Sequence, residues 1–198
     1  TNDDEKIPGW LRGRSYKDVT THYTPVADAK LKLEDYPEVQ FAYLCVFNSG
    51  EWAAIHWSEI NNGSVNYTDM GTDICYLPMC IEGKDLVAAH SAMILQKNGL
   101  IRTLAPSERT ETVIVSSTTR RKLDASTDNI EQTFLNHGAT YELFYWDKEW
   151  VTLGKQVAGN KALKFENAPE GALFWMVEEG SRKEERIFTW ESGGQVWW

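Results

Sequence analysis

Ala42-Tyr43-Leu44-Cys45-Val46-Phe47, then Asn48-Ser49-Gly50 and Glu51-Trp52, is the stretch that decides the fold. It returns as Thr140-Tyr141-Glu142-Leu143-Phe144-Tyr145, then Trp146-Asp147-Lys148 and Glu149-Trp150. Tyr43 and Tyr141 set an offset of 141 − 43 = 98 residues. At that offset Val65 meets Leu163, Tyr67 meets Phe165, Tyr76 meets Phe174 and Leu77 meets Trp175, with no gap from Tyr43 to Leu77. A three-residue deletion then lowers the offset to 95, where Leu95 meets Trp190, Gly99 meets Gly194 and Ile101 meets Val196. A period this long is duplication of a whole domain, not a solenoid repeat.

Each copy reads as strands. Val65-Asn66-Tyr67 and Leu163-Lys164-Phe165-Glu166 alternate apolar and polar, as half-buried strands do. Val113-Ile114-Val115 is a β-branched run, and Asn98-Gly99 and Ser192-Gly193-Gly194 are hairpin turn signals. Strands about ten residues apart with turn chemistry between them predict a sandwich or barrel. One stretch, Asp128 to Leu135, offers a short helix instead, with Thr127 or Asp128 as cap and Glu131 in its first turn. Turn residues near Leu104-Ala105-Pro106-Ser107 place the boundary between copies, which gives a polar tether over 1–9, a first module over 10–105 and a second over 106–198.

Composition narrows the function. The 198 residues carry a net charge of −9 and 42% hydrophobic residues, enough for a core. An acidic chain lacks the basic footprint of a nucleic-acid binder. Its one dense basic run, Arg120-Arg121-Lys122, reads as a solvated strand end or turn. No apolar run is long enough to span a membrane. Cys45 and Cys75 fall on Leu143 and Leu173 of the other copy, so they read as small buried hydrophobes. His22, His56, His90 and His137 are scattered, no Gly-x-Ser-x-Gly elbow occurs, and no catalytic residue, metal or cofactor is assigned. Asp69 and Asp73 flank a turn as candidate calcium ligands, but their counterparts are Asn167 and Gly171.

The repeat also sorts the tryptophans. Trp52 and Trp150 match one another and read as scaffold, and Trp175 and Trp190 answer to leucines. Trp57 answers to Lys155, Trp146 to Asn48, and Trp197 and Trp198 to Arg102 and Thr103, so these four are expected at the surface of their copy, either to pack between the two copies or to stack on a sugar ring. Trp57 and Trp146, with Asp147 beside the latter, are the candidate ligand-binding residues.

Three further segments carry a resemblance: Tyr16-Lys17-Asp18-Val19-Thr20 with Tyr23-Thr24-Pro25-Val26; Asp69 to Pro78; and Lys183 to Trp190 with Gln195-Val196-Trp197-Trp198. Together they resemble the carboxy-terminal β-sandwich accessory region of transglutaminase-like surface lipoproteins of Gram-negative gut bacteria. The resemblance implies an all-β fold of two tandem jelly-roll, galactose-binding-like modules, and export to the cell envelope on a lipid anchor. The Cys-His-Asp constellation of that family's catalytic domain does not carry over to this chain. The expected function is therefore a non-catalytic ligand-binding module for a glycan or a cell-surface protein, with a structural spacer or docking domain for a partner enzyme as the alternative.

Overall fold

In the computed structural model, the described residues are 25–115, 118–124, 127–132, 135–181 and 187–198. The tether over 1–9, His22, most of the segment from Tyr16 to Val26, and Lys183 to Arg186 lie outside them. Every element among the described residues is a strand, and no helix there is long and apolar enough to cross a membrane. The chain divides into two compact all-β units, at Thr103 and Leu104.

The first unit contains β1 (Val26–Lys32), β2 (Phe41–Asn48), β3 (Glu51–Glu59), β4 (Ser64–Gly71), β5 (Cys75–Glu82), β6 (Asp85–Ala88), β7 (Ala92–Leu95) and β8 (Ile101–Leu104). Strands β1 and β4 form a two-stranded sheet. The larger sheet runs β3-β2-β5-β7-β8, with β6 also on β5. Inward residues from both sheets form one core: Ala29, Val65 and Tyr67 from the small sheet, and Ala42, Leu44, Val46, Tyr76 and Met93 from the large one. Tyr67 is fully buried, and its hydroxyl donates to the Ala42 carbonyl across the sandwich at 3.2 Å. That bond spares a buried hydroxyl its desolvation cost, about 1–3 kcal/mol when unmet.

The second unit repeats this plan. Its strands are β9 (Thr110–Val115), β10 (Thr118–Asp124), β11 (Thr127–Gln132), β12 (Thr140–Trp146), β13 (Trp150–Val157), β14 (Leu163–Pro169), β15 (Leu173–Glu178), β16 (Ile187–Glu191) and β17 (Gly194–Trp197). Strands β9 and β14 pair as β1 and β4 do. In the large sheet β13-β12-β15-β16-β17 matches β3-β2-β5-β7-β8 strand for strand. The core again joins both sheets, through Val113, Leu163 and Phe165 on one side and Leu143, Phe174 and Phe188 on the other.

Three differences correct the sequence reading. The short helix that Asp128 to Leu135 could have offered is not formed over 128–132, where β11 instead pairs antiparallel with β10 from Thr118–Gln132 to Asp124–Thr127. Strand β10 in turn bridges β17 through Arg121 and Trp197, so sheet pairing overrides a local capping pattern. The basic run Arg120-Arg121-Lys122 accordingly lies within β10, not at a strand end.

The third correction concerns register. The offset of 98 holds for β3, β4 and β5, and 95 holds for β7 against β16, where Tyr76–Met93 answers Phe174–Phe188. In β2 it is 99, since core Leu44 corresponds to core Leu143 (143 − 44). The cause is the turn. Ser49 and Gly50 both have positive φ, 50° and 83°, the central pair of a type I′ hairpin closed by Asn48 and Glu51. The second unit connects Trp146 to Trp150 through Asp147, Lys148 and Glu149, one residue fewer, with Lys148 at φ 62°. Cys45 thus corresponds to Phe144, not Leu143, and Trp146 to Phe47, not Asn48. The geometry agrees. Phe47 and Trp52 face each other across the hairpin with centroids 5.3 Å apart at 69°, and Trp146 and Trp150 do so at 5.0 Å and 71°.

A latch is also duplicated. The backbone N–H of Asn66 in β4 donates to the Ser58 hydroxyl of β3 at 3.0 Å. At the same repeat positions, the Lys164 N–H donates to Gln156 Oε1 at 3.0 Å, and Gln156 Nε2 donates back to the Lys164 carbonyl. In each unit the outermost strand of the large sheet is thereby tied to the small sheet.

Candidate functional site

Ala42 and Leu44 point into the core, so the alternation of a strand turns Phe41 and Tyr43 outward. Register then lays out the outer face. Trp57 of β3 lies opposite Tyr43 of β2, Tyr43 opposite Met79 of β5, and Met79 opposite Ala88 of β6. One step along the strands, Phe41 lies opposite Glu59 and Ile81 opposite Leu86. Phe41 is two residues from Tyr43 and Ile81 two from Met79, so both join the same outward set.

These side chains are apolar and stand in solvent. Trp57 is 49% exposed, Ile81 43%, and Phe41 and Leu86 39% each. Four large side chains, each two-fifths to half exposed, offer roughly 300 Å² of apolar surface, the lower end of the size of the largest patch on a monomer, which is often functional. Phe41 meets the Trp57 ring edge to face, centroids 5.3 Å apart at 84°, which holds the indole in one orientation. Among the described residues Trp57 is the only exposed tryptophan.

The other candidate tryptophans fall elsewhere. Trp146 is 6% exposed, contrary to the surface position expected of it, because the shorter turn moves it onto the position of Phe47. It belongs to a cluster on the outer face of the second large sheet, where Trp150 and Trp175 lie 5.4 Å apart and Phe144 stacks on Trp175 at the same distance. Asp147 is exposed at the adjoining turn, where its N–H donates to the Glu149 carbonyl. Trp197 and Trp198 are half-buried, not surface residues as expected: Trp197 packs on Phe188 at 5.2 Å, and Trp198 Nε1 donates to Thr189 Oγ1 at 2.9 Å. The sequence comparison missed Phe41, Ile81 and Leu86. Their signal was present as outward apolar positions beside Trp57, but only register shows that they share a face.

The cysteines hold no accessible nucleophile. All three are free and buried. Burial pushes the Cys45 thiol up to about 12 and raises Cys75 and Cys80 as well, so each stays protonated and inert. His56 was expected at the surface. It is half-buried, its ring 6.1 Å from that of Tyr67, because the bulge beside Cys45 shifts the register of β3.

His90 comes nearest to a catalytic arrangement. Its Nδ1 lies 2.9 Å from the Ser91 carbonyl, and its Nε2 lies 3.3 Å from Glu34 Oε1. The Ser91 hydroxyl, however, bonds to both Glu34 oxygens at 3.1 Å. Among the described residues neither imidazole nitrogen bonds to a hydroxyl, so the base-to-nucleophile leg of a triad is missing. The group is a tie: the Glu34 N–H also donates to the Ala89 carbonyl at 3.0 Å.

The acidic residues have local explanations. Asp69 and Asn167 have φ of 54° and 59°, and Asp73 and Gly171 have 57° and 75°. The left-handed backbone, which Asp, Asn and Gly tolerate best, accounts for both pairs without a metal. Among the described residues no group of three or more His, Cys, Asp or Glu is placed to hold a metal ion. Glu111 is raised above the ordinary carboxylate range by burial and then by the charge of Glu170. Gln195 is 2% exposed, and among the described residues neither its Nε2 nor its Oε1 finds a hydrogen-bond partner. No protein-family profile matches the chain, and a search of curated proteins finds no match.

Proposed function

We propose that the chain is a non-catalytic accessory module that docks on a protein through the outer face of its first unit. The observation that carries this is the apolar surface spanning four strands, from Trp57 and Phe41 to Ile81 and Leu86. A single exposed apolar residue means little, but a contiguous face of aromatic and aliphatic side chains is the composition of an interface centre. Buried, protonated thiols and a His90 with no free leg toward a hydroxyl support the non-catalytic reading. The same burial protects the three thiols from oxidation, which suits an exported protein as the family resemblance implies.

A photo-crosslinking residue at position 41 or 86, in the full chain made in its own host, tests this. Both positions should capture the same protein, and position 157, exposed in the second unit, should not. Equal capture at all three, or none at 41 and 86, refutes the docking reading.

One observation favours a second reading, a glycan. Trp57 presents a half-exposed indole with the Glu59 carboxylate on the same face, and a flat ring beside an acceptor suits a neutral sugar. The two separate by mutation. Glycan binding would be lost in Trp57→Ala and kept in Ile81→Ser/Leu86→Ser, whereas protein docking would be lost in both.

A further inference from the structure

Resting on the docking reading, the charges around this face point to the kind of partner: we infer a protein whose apolar contact surface is bordered by basic side chains, and not a second copy of this chain. Glu59 lies on the face itself, opposite Phe41. Glu82 and Asp85, both exposed, close the β5–β6 hairpin one residue beyond Ile81 and Leu86, so alternation turns their side chains off the face itself and they border it only at the rim of the sheet. Lys84, in the turn between them, is the one basic residue of that hairpin. Across residues 25–103 ten Asp and Glu face five Lys and Arg, a net charge of 5 − 10 = −5. Roughly 300 Å² of apolar surface falls short of the ~800 Å² per partner in a stable interface, so the border must be covered too. In a face-to-face pair of this chain those borders would carry like charges, which costs affinity. A basic border turns the same meeting of surfaces into attraction and raises the encounter rate.

The chain can supply its own probe. Glu59→Lys/Glu82→Lys/Asp85→Lys creates the same apolar face with a basic border. Both proteins are studied by sedimentation velocity at low salt, separately and as an equimolar mixture. Wild type and variant are each expected to be monomeric, and the mixture to form a heterodimer at concentrations at least tenfold below those at which either self-associates. The heterodimer should dissociate at about 1 M salt, where charges are screened beyond ~3 Å, and fail to form when both partners carry Trp57→Ala. If wild type pairs with itself as readily as with the variant, and Trp57→Ala abolishes that pairing, the face docks protein but its border does not choose the partner, and the inference falls alone. If no mixture associates, the inference falls as well, and the docking reading is decided by the crosslinking result.

Discussion

Replacing Trp146 with alanine should destabilise the second unit by about 3–5 kcal/mol, the range for emptying a large buried site. The side chain is 6% exposed, so 100 − 6 = 94% of its surface is withdrawn from water. A tryptophan buries ~200 Å², worth about 5 kcal/mol at ~25 cal/mol per Å², and partial collapse of the cavity lowers that figure. The edge-to-face packing on Trp150 at 5.0 Å should appear as a coupling of about 0.5–1.5 kcal/mol in the cycle of Trp146→Ala, Trp150→Ala and the double variant. Urea unfolding followed by far-ultraviolet circular dichroism is the assay, because the substitutions alter the fluorescence itself. Trp57→Ala, which truncates a half-exposed ring, is the control and should cost about 1 kcal/mol. If Trp146→Ala proves no more costly than Trp57→Ala, the one-residue shift that makes Trp146 the counterpart of Phe47 is wrong.

Three other outcomes are expected. The native thiols should resist a thiol reagent until the protein unfolds. The Cys45 thiol is 9.0 ordinarily and about 12 when folded, so its contribution is intact below pH ~9 and is lost as pH rises toward ~12. Cys45→Ala should flatten that alkaline decline, and rapid labelling of the native protein would contradict the burial. Asp73→Gly should unfold within about 0.5 kcal/mol of wild type, with a melting temperature insensitive to calcium or chelator in both, since the position needs a left-handed backbone and its counterpart is already Gly171; a calcium-dependent shift abolished by the substitution would restore the metal reading. Gln195→Ile should raise stability by about 1–3 kcal/mol, because it removes a buried amide that finds no hydrogen-bond partner among the described residues; a loss in chemical denaturation would mean that the amide is satisfied in solution.

Most of the architecture was legible because a duplicated sequence is its own alignment. Val65 with Leu163, Tyr67 with Phe165 and Tyr76 with Phe174 share an offset and occupy equivalent core positions. Legibility ended where a single residue was deleted in a turn. A one-residue slip reverses every side chain of a strand, and Tyr43 aligned with Tyr141 by identity although one points outward and the other into the core. The β10–β11 hairpin has no sister segment to compare, and its pairing with β17 joins residues far apart in sequence. Of the site, Trp57 was readable as an aromatic replaced by Lys155 in the sister copy. Ile81 and Leu86 were not, because an exposed isoleucine and a buried one look alike until their neighbours across the sheet are known.

The paired latches at Ser58–Asn66 and Gln156–Lys164 bear on how such a molecule survives at high concentration. Antiparallel sheets fail by recruiting stray strands along an open margin, the first step toward fibres. Each latch stitches that margin, on β3 and on β13, to the opposite sheet, so the open sandwich behaves there more like a closed barrel. A strand seeking to extend the sheet must first unpick the seam. Removing both stitches, as in Ser58→Ala/Gln156→Ala, would be felt less as a lower melting point than as turbidity in a concentrated sample held warm, well before the bulk of the protein unfolds.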